Sequence, residues 1–512
     1  MLVHEFLEES ARRMPDKTAL LFQDQRFSYK EIDAISNQLA HALIDAGIKR
    51  GDRVSILLDN SIESVISIYA VLKASAVFST LSPTLKSKKL RYILNNSESS
   101  FFISNWQKIN TVSEAVKDLS FLKLIIMCGK MSDESQCNDE RFVGWGKFID
   151  SWPISKPDVL CINIDLANII YTSGSTGDPK GVMMTHQSMV SAATSIIQYL
   201  ENTESDIILN VLPLSFDYGL YQVIMSFMFG GTIVLEKSFT FPYVVIEKII
   251  KEKITVFPAV PTIFAILLQL KNLKSINFQH LRCFTNTGAA LPVHFINTLK
   301  KVFPHVKIYS MYGLTECKRV SYLPPEEIDR IPTSVGKGMP NEEVYIVNEN
   351  GERVAPGMIG ELVVRGANVM KGYWKSPEDT NRVLKPGLYP DERVLYTGDL
   401  FKMDDDGFLY FISRKDDLIK TRGERVSPLE IENALYDMDG VGEVAVIALP
   451  DEVLGSAIKV FIMKVNDNDL TKKDVIKYCS THLESFMVPK YVEFVDFFKK
   501  TSSGKIDKKV LE

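Results

Sequence analysis

The stretch Leu166–Gly181, LANIIYTSGSTGDPKG, runs a buried-strand pattern into a loop rich in glycine and hydroxyl side chains. Leu166–Tyr171 is apolar almost throughout, as a strand covered on both faces requires. From Thr172 onward, glycines let backbone N–H groups turn toward an anion, Ser and Thr hydroxyls add donors, and Lys180 adds a mobile positive charge. Those parts suit a polyphosphate, but a Gly/Ser/Thr cluster is also the usual material of a surface turn. The loop alone leaves both readings open. A Walker A loop places Lys directly after Gly and before Ser or Thr. Here Lys180 follows Pro179, so that nucleotide fold is excluded. The HRD and DFG runs of a protein kinase are missing too.

Working outward, short apolar runs alternate with helical periodicity. GDRVSILLD precedes SIESVISIYAVLKA, ASAVFSTL precedes LKSKKLRYILNN, and FFIS and KLIIMC follow. Beyond the loop come DIILNVLPL, GLYQVIMSFMFG, GTIVLE and FPYVVIEKIIKEKI; in TVFPAVPTIFAILLQL the prolines separate a strand from a helix. The alternation predicts stacked α/β layers with largely parallel sheets. From about Val344, turn signals at Asn-Gly and Pro-Gly separate strand-like runs, predicting a small β-barrel-like subdomain at about 340–413. The division expected is an N-terminal part over 1–413, a hinge at 414–417 in the charged strip SRKDD, and a mobile α+β C-terminal domain over 418–512.

With 512 residues, several domains are expected. A net charge of −5 with 24% charged residues gives no polycationic face, so neither nucleic acid nor an anionic membrane is indicated as partner. The six cysteines form no CxxC pair, which argues against a zinc site or a disulfide scaffold and fits a reducing compartment. The N-terminal run MLVHEFLEESARRMPDKTALLF reads as an amphipathic helix, not a signal peptide. No apolar run is long enough to span a bilayer, so a soluble cytoplasmic protein is expected.

Downstream runs supply partners for a phosphate loop. IYSMYGLTEC places Thr315 and Glu316 after a strand, a hydroxyl beside a carboxylate of the kind that holds Mg²⁺ on nucleotide phosphates. VLYTGDLF places Asp399 in an expected tight Thr-Gly-Asp turn, where its carboxylate could accept both ribose hydroxyls. KKTSSGKIDKKVL presents Lys505 after a small Ser-Ser-Gly segment. Taken in order, from FSYKEID and GDRVSILLDNS to TSSGKID, these runs identify the chain as resembling the AMP-forming adenylate superfamily: acyl-CoA synthetases, nonribosomal adenylation domains and firefly luciferase.

The resemblance implies ATP-dependent activation of a carboxylic acid to an acyl-adenylate, release of pyrophosphate, and transfer of the acyl group to coenzyme A or to the phosphopantetheine of a carrier protein. By the family pattern, Thr172, Ser173, Gly174, Ser175, Thr176, Gly177 and Lys180 would cover the β- and γ-phosphates. Gly288, Ala289 and Ala290, with Ser310, Met311, Tyr312 and Gly313, would line the adenine and carboxylate pockets. Thr315 would touch the α-phosphate, Glu316 would hold Mg²⁺, and Asp399 and Arg414 would bind ribose. Thr172, Glu316 and Lys505 would be the catalytic set, Lys505 bridging the substrate carboxylate and the α-phosphate. Asp416 would be the hinge pivot. After rotation Gly423 would leave room for a pantetheine arm and Arg425 would meet a phosphate. Taken singly, each is as well explained as a solvated loop residue.

Three departures from the commonest pattern stand out. Ser75 replaces a frequent glycine, which implies a packing change. Phe498-Lys499-Lys500 stands where a proline is usual before Lys505. Phe216, with Asp217, stands where many acyl-CoA synthetases carry histidine. In amino-acid-activating members an aspartate like Asp217 pairs with the substrate ammonium; alternatively Asp217 caps the helix that follows. Both readings stay open. The leading expectation is an acyl-CoA synthetase, the runner-up an aminoacyl ligase loading a separate carrier protein, and the third an inactive nucleotide-binding relative.

Overall fold

The computed structural model describes residues 1–512 except 131–138, 173–177, 271–272, 274–275, 277, 423, 452–453, 466–468, 502–504 and 512, and the side chain of Arg425. Two large sheets carry the architecture. One has nine strands, with Lys307–Tyr312, Cys283–Asn286, Val256–Ala259, Ile207–Asn210, Thr232–Leu235 and Thr18–Phe22 side by side and parallel at its centre. The other has eight, with Val77–Thr80, Arg53–Ile56, Ser99–Asn105 and Leu124–Cys128 parallel in its interior. Parallel neighbours need crossover connections, and helices supply them at the expected places: Ile62–Lys73, Ser87–Ser97, Asp217–Phe229, Pro242–Lys251 and Pro261–Leu268.

Helix starts follow local chemistry. Ser28 with Glu31, and Thr185 with Ser188, form capping boxes on Tyr29–Asp45 and His186–Leu200. Pro242 and Pro261 each open a helix, where a missing N–H costs nothing. Helix Ile62–Lys73 is buried at every position from Ser64 onward, as a helix apolar all round should be. Lys73 is the exception in kind: its side chain is fully buried, and its ammonium reaches Asp33 at 2.6 Å and Asn37 at 2.6 Å. One continuous core joins the two sheets, with Val54, Ile56 and Phe78 from one and Ile208, Phe257 and Phe284 from the other.

Antiparallel strands Glu342–Val347, Ile359–Gly366, Leu384–Pro386, Arg393–Met403 and Leu409–Arg414 make the β-rich sheet expected after Val344. Residues Arg414 to Asp417 are exposed. Beyond them, strands Val441–Asp451, Gly455–Lys464 and Tyr491–Phe494 form a three-stranded sheet, with helices Pro428–Tyr436 and Lys472–His482. Alternate residues face opposite ways along these strands. Val444, Val446, Ile458 and Val460 face one buried cluster, while Ala445, Ile447 and Phe461 face another that includes Phe498. The missing proline before Lys505 is thus replaced by an aromatic anchor.

At Ser75 the backbone is left-handed, φ +57°, with its hydroxyl donating to the Leu160 carbonyl at 2.7 Å. The demand at this position is therefore conformational, where glycine is cheapest; it is not the packing change expected from the sequence.

Candidate active site

The opening stretch is one arm and the loop of a hairpin. Strand Leu166–Thr172 pairs antiparallel with Lys180–Thr185, and Thr172 stands opposite Lys180 at the mouth of the loop. Ser173, Gly174, Ser175, Thr176 and Gly177 lie outside the described residues. Short strand Gly372–Tyr373 joins the free edge of Lys180–Thr185 and brings Tyr373 between two candidate groups. The Tyr373 hydroxyl donates to Glu316 Oε1 at 2.8 Å, and its ring lies 5.7 Å from the Lys180 ammonium. Lys180 is also paired with Asp379 at 2.7 Å, from the helix Pro377–Val383. That pairing holds the Asp379 carboxyl below its usual value. Tyr373 and Asp379 were not singled out in the sequence, because nothing in KGYWKSPED marks a hydroxyl that bridges two distant motifs.

Glu316 sits in the turn after strand Lys307–Tyr312, together with Thr315. Gly313 is required just before it. A Cβ there would lie 2.2 Å from the Lys318 carbonyl oxygen, so no other residue lets the chain fold back this closely. Ser310 and Met311 are buried, and Met311 sulfur accepts the Tyr199 hydroxyl at 3.0 Å. Met311 therefore serves the core behind the strand. Tyr312, by contrast, donates to Asp399 Oδ2 at 2.5 Å.

Asp399 does not occupy a tight turn. It lies inside the eleven-residue strand Arg393–Met403, kinked at Gly398, φ +73°. The strand persists because its ladder partners continue on both sides, and the positive φ of glycine absorbs the irregularity. Burial pushes the Asp399 carboxyl above its usual value, opposed by Arg414, whose Nε stands 3.4 Å from Oδ1. Arg414 is the direct ladder partner of Asp399 and remains largely exposed.

Lys505 reaches this group from the far end of the chain. An isolated bridge between Lys500 and Ile506, and the Thr501 N–H bonded to the Lys505 carbonyl at 2.8 Å, hold its backbone. Around Gly288, whose φ of +90° demands glycine, the space a Cβ would take is bounded by Lys505 Cε and Phe216 Cζ at 3.6 Å and Val260 Cγ1 at 3.7 Å. Surrounding protein atoms depress the Lys505 pKa first and Arg414 second, against the pull of Asp399 and Glu316. The residue keeps solvent-exposed surface, so the depression belongs to the crowded ammonium end. Ala289 and Ala290 are exposed beside Gly288. Asp416 is exposed on the strip following Arg414. Gly423 and the Arg425 side chain lie outside the described residues.

Asp217 is not a helix cap. The helix Asp217–Phe229 has Phe216 at its N-cap with no side-chain cap bond, and Asp217 instead pairs with Lys318 at 2.7 Å. Burial of both partners explains the preference for an ion pair. Lys318, two residues beyond Glu316, was missed, since a buried lysine carries no mark in the sequence.

Thus Lys505 lies beside Gly288 and within electrostatic reach of Arg414, Asp399 and Glu316, and Tyr373 joins Glu316 to Lys180. The description "AMP-binding enzyme" matches residues 7–374, and "AMP-binding enzyme C-terminal domain" matches 430–505. The chain belongs to the AMP-binding enzyme family and is an AMP-forming ligase. It is 31% identical to the long-chain-fatty-acid–CoA ligase of Bacillus subtilis (strain 168), over 98% of this chain and 93% of that one. It is 28% identical to gramicidin S synthase 2 of Brevibacillus brevis over 99% of this chain, which spans only 11% of that synthase. Among solved structures, the anthranilate CoA ligase AuaEII in complex with anthranoyl-AMP superposes with TM-score 0.90 at 26% identity, over 100% of this chain and 96% of that one. ATP-bound MatB from Rhodopseudomonas palustris superposes with TM-score 0.88 at 26% identity, over 100% and 98%. No helix among the described residues is long and apolar enough to cross a membrane.

Proposed function

We propose that the protein joins a carboxylic acid to ATP and passes the acyl group to the thiol of coenzyme A. A carboxylate oxygen attacks the α-phosphorus, the bond from that phosphorus to the bridging oxygen of pyrophosphate breaks, and pyrophosphate leaves. A thiol, giving up its proton, then attacks the carbonyl carbon, and AMP leaves with the electrons of the broken C–O bond. A carboxylate is a poor electrophile; the adenylate gives it a good leaving group.

The observation that carries this reading is the approach of Lys505 to Gly288 beside Asp399, Arg414 and Glu316. A cation there can meet both the incoming carboxylate and the α-phosphate, where negative charge crowds. Asp399 and Arg414 would take the ribose, and Thr172 and Lys180 the outer phosphates. Glu316, held by Tyr373, would be the protein carboxylate on a magnesium ion carried mainly by the phosphates. Bound there, magnesium would offset the phosphate charge. The exposed strip 414–417 would be the pivot that turns the segment from 418 onward between the two half-reactions, removing Lys505 and bringing Gly423 to the site.

ATP–pyrophosphate exchange with a panel of fatty, aryl and amino acids tests the proposal. Exchange with at least one acid, followed by thioester formation with coenzyme A, is expected. Tight ATP binding without exchange by any acid would sink it. The likeness to gramicidin S synthase 2 supports a second reading, aminoacyl loading of a carrier protein, which amino-acid-only exchange would favour.

A further inference from the structure

Next to Phe216, which bounds the space at Gly288, lies a closed cluster of charges. Asp217 is 4% exposed, and one of its oxygens is 2.7 Å from the ammonium of Lys318, whose side chain has no exposed surface. That ammonium also lies 5.6 Å from the centre of the Tyr221 ring. The following residue, Arg319, is 4% exposed and stacks its guanidinium 4.5 Å over the Tyr218 ring. Among the described residues no carboxylate pairs with Arg319. The cluster therefore holds two cations and one paired carboxylate, buried together; the next carboxyl, Glu342, is held by Asn368, which also bonds the Arg319 carbonyl, and burial pushes its pKa up, against the charged form. Among the described residues, Asp217 Oδ2, Tyr221 Oη and Arg319 Nε have no hydrogen-bond partner.

A lone buried carboxylate one residue along from Phe216, the residue that bounds the space at Gly288, would be completed by a cation from the substrate, because an unpaired buried charge is costly. Here the chain brings that cation itself. A substrate ammonium arriving at Asp217 would compete with a lysine already in contact and would add a third positive charge where one is already in excess. Burial keeps water from screening the repulsion.

We propose that Lys318 is a specificity-determining residue: its ammonium fills the cation position at Asp217, so the site takes carboxylic acids that carry no positive charge near the carboxylate and rejects α-amino acids. The inference rests on the reading that acids are activated beside Gly288. It identifies the preferred substrates as uncharged or anionic in their acyl part. It assigns Asp217 to Lys318 in place of either a helix cap or a substrate amine.

Binding of paired adenylate mimics tests this without requiring turnover. The probes are butanoyl- and octanoyl-sulfamoyl adenosine, each beside its 2-amino counterpart, titrated calorimetrically into the full-length protein. In the unaltered protein the amine-free member of a pair should bind on the order of 100-fold more tightly, the scale of a like-charge penalty of several kcal/mol. In Lys318→Met the ratio should fall at least tenfold, through gain of the 2-amino compound. Should that variant be insoluble, the doubly neutral Asp217→Asn/Lys318→Met should bring the ratio close to unity. Equal affinities within the pairs, a preference for the amine, or a ratio unmoved by either variant would overturn the selectivity while leaving adenylation standing. Binding of no probe at either length, with no acid supporting exchange, would overturn adenylation and this inference with it.

Discussion

Replacing Lys505 with alanine should separate the two half-reactions. In the structure its ammonium shares a neighbourhood with Arg414, Asp399 and Glu316. With Lys505 present the four charges balance; without it, one negative charge is left facing an incoming carboxylate and a triphosphate. Removing one preorganised group that meets developing charge costs about 10²–10³ in rate, or about 3–4 kcal/mol. Because Lys505 is partly open to solvent, which screens it, the lower end is expected: about 100-fold in pyrophosphate exchange. Folding should not suffer. Lysine with a depressed pKa is less readily protonated in the folded state than in the unfolded chain, so below that value it opposes folding, and its loss relieves a small cost. The backbone bonds to Thr501 survive the substitution. Stability by denaturant titration should stay within about 0.5 kcal/mol. Thioester formation from supplied acyl-AMP should stay within a few-fold if Lys505 leaves the site before thiol transfer. Equal loss in both half-reactions, or loss explained by unfolding, would refute the reasoning.

Three further substitutions probe other parts. Tyr373→Phe removes the hydroxyl that donates to Glu316 at 2.8 Å; the magnesium concentration for half-maximal exchange should rise about 10-fold, as a hydrogen bond to a charged group is worth about 1.5 kcal/mol at the lower end of its range, and an unchanged magnesium dependence would count against Glu316 as the metal carboxylate. Asp399→Asn should weaken ATP binding about 10–100-fold. Since burial raises the Asp399 pKa, its charged form opposes folding above that value, so the variant should be as stable or more stable at neutral pH; the difference should shrink as pH falls through the folded pKa toward the unfolded one. Thermal melts across pH 3–8 check the sign. Lys73→Met strands Asp33 and lengthens no chain, and should cost about 3–5 kcal/mol in denaturant unfolding, the range for breaking a buried ion pair; a loss below about 1 kcal/mol would show that Asp33 finds water instead.

The alternation of strands and helices was legible because each element carries its own period and its own stop signals: the apolar run of Leu166–Tyr171, the prolines before Thr262, the Asn-Gly and Pro-Gly turns after Val344. Ordered motifs likewise singled out Lys180, Glu316, Asp399 and Lys505, and the structure brings Lys505 within reach of Asp399 and Glu316. Local pattern failed where backbone geometry or a distant partner decided. Thr-Gly-Asp reads as a turn in isolation, yet ladder partners on both sides keep Asp399 within a strand. The left-handed Ser75 is set by the path of the chain around it, which no side chain announces.

By itself, the sequence determined that this chain folds in α/β layers and carries the parts for making an adenylate. Only the tertiary structure decided which parts meet. Tyr373 joins Lys180 to Glu316 across almost two hundred positions, and Lys318 claims the carboxylate of Asp217. Periodicity and composition are local, whereas charge pairing in a dry interior depends on what the fold brings within a few ångströms; the partner of Asp217 is therefore set by packing and not by any local pattern.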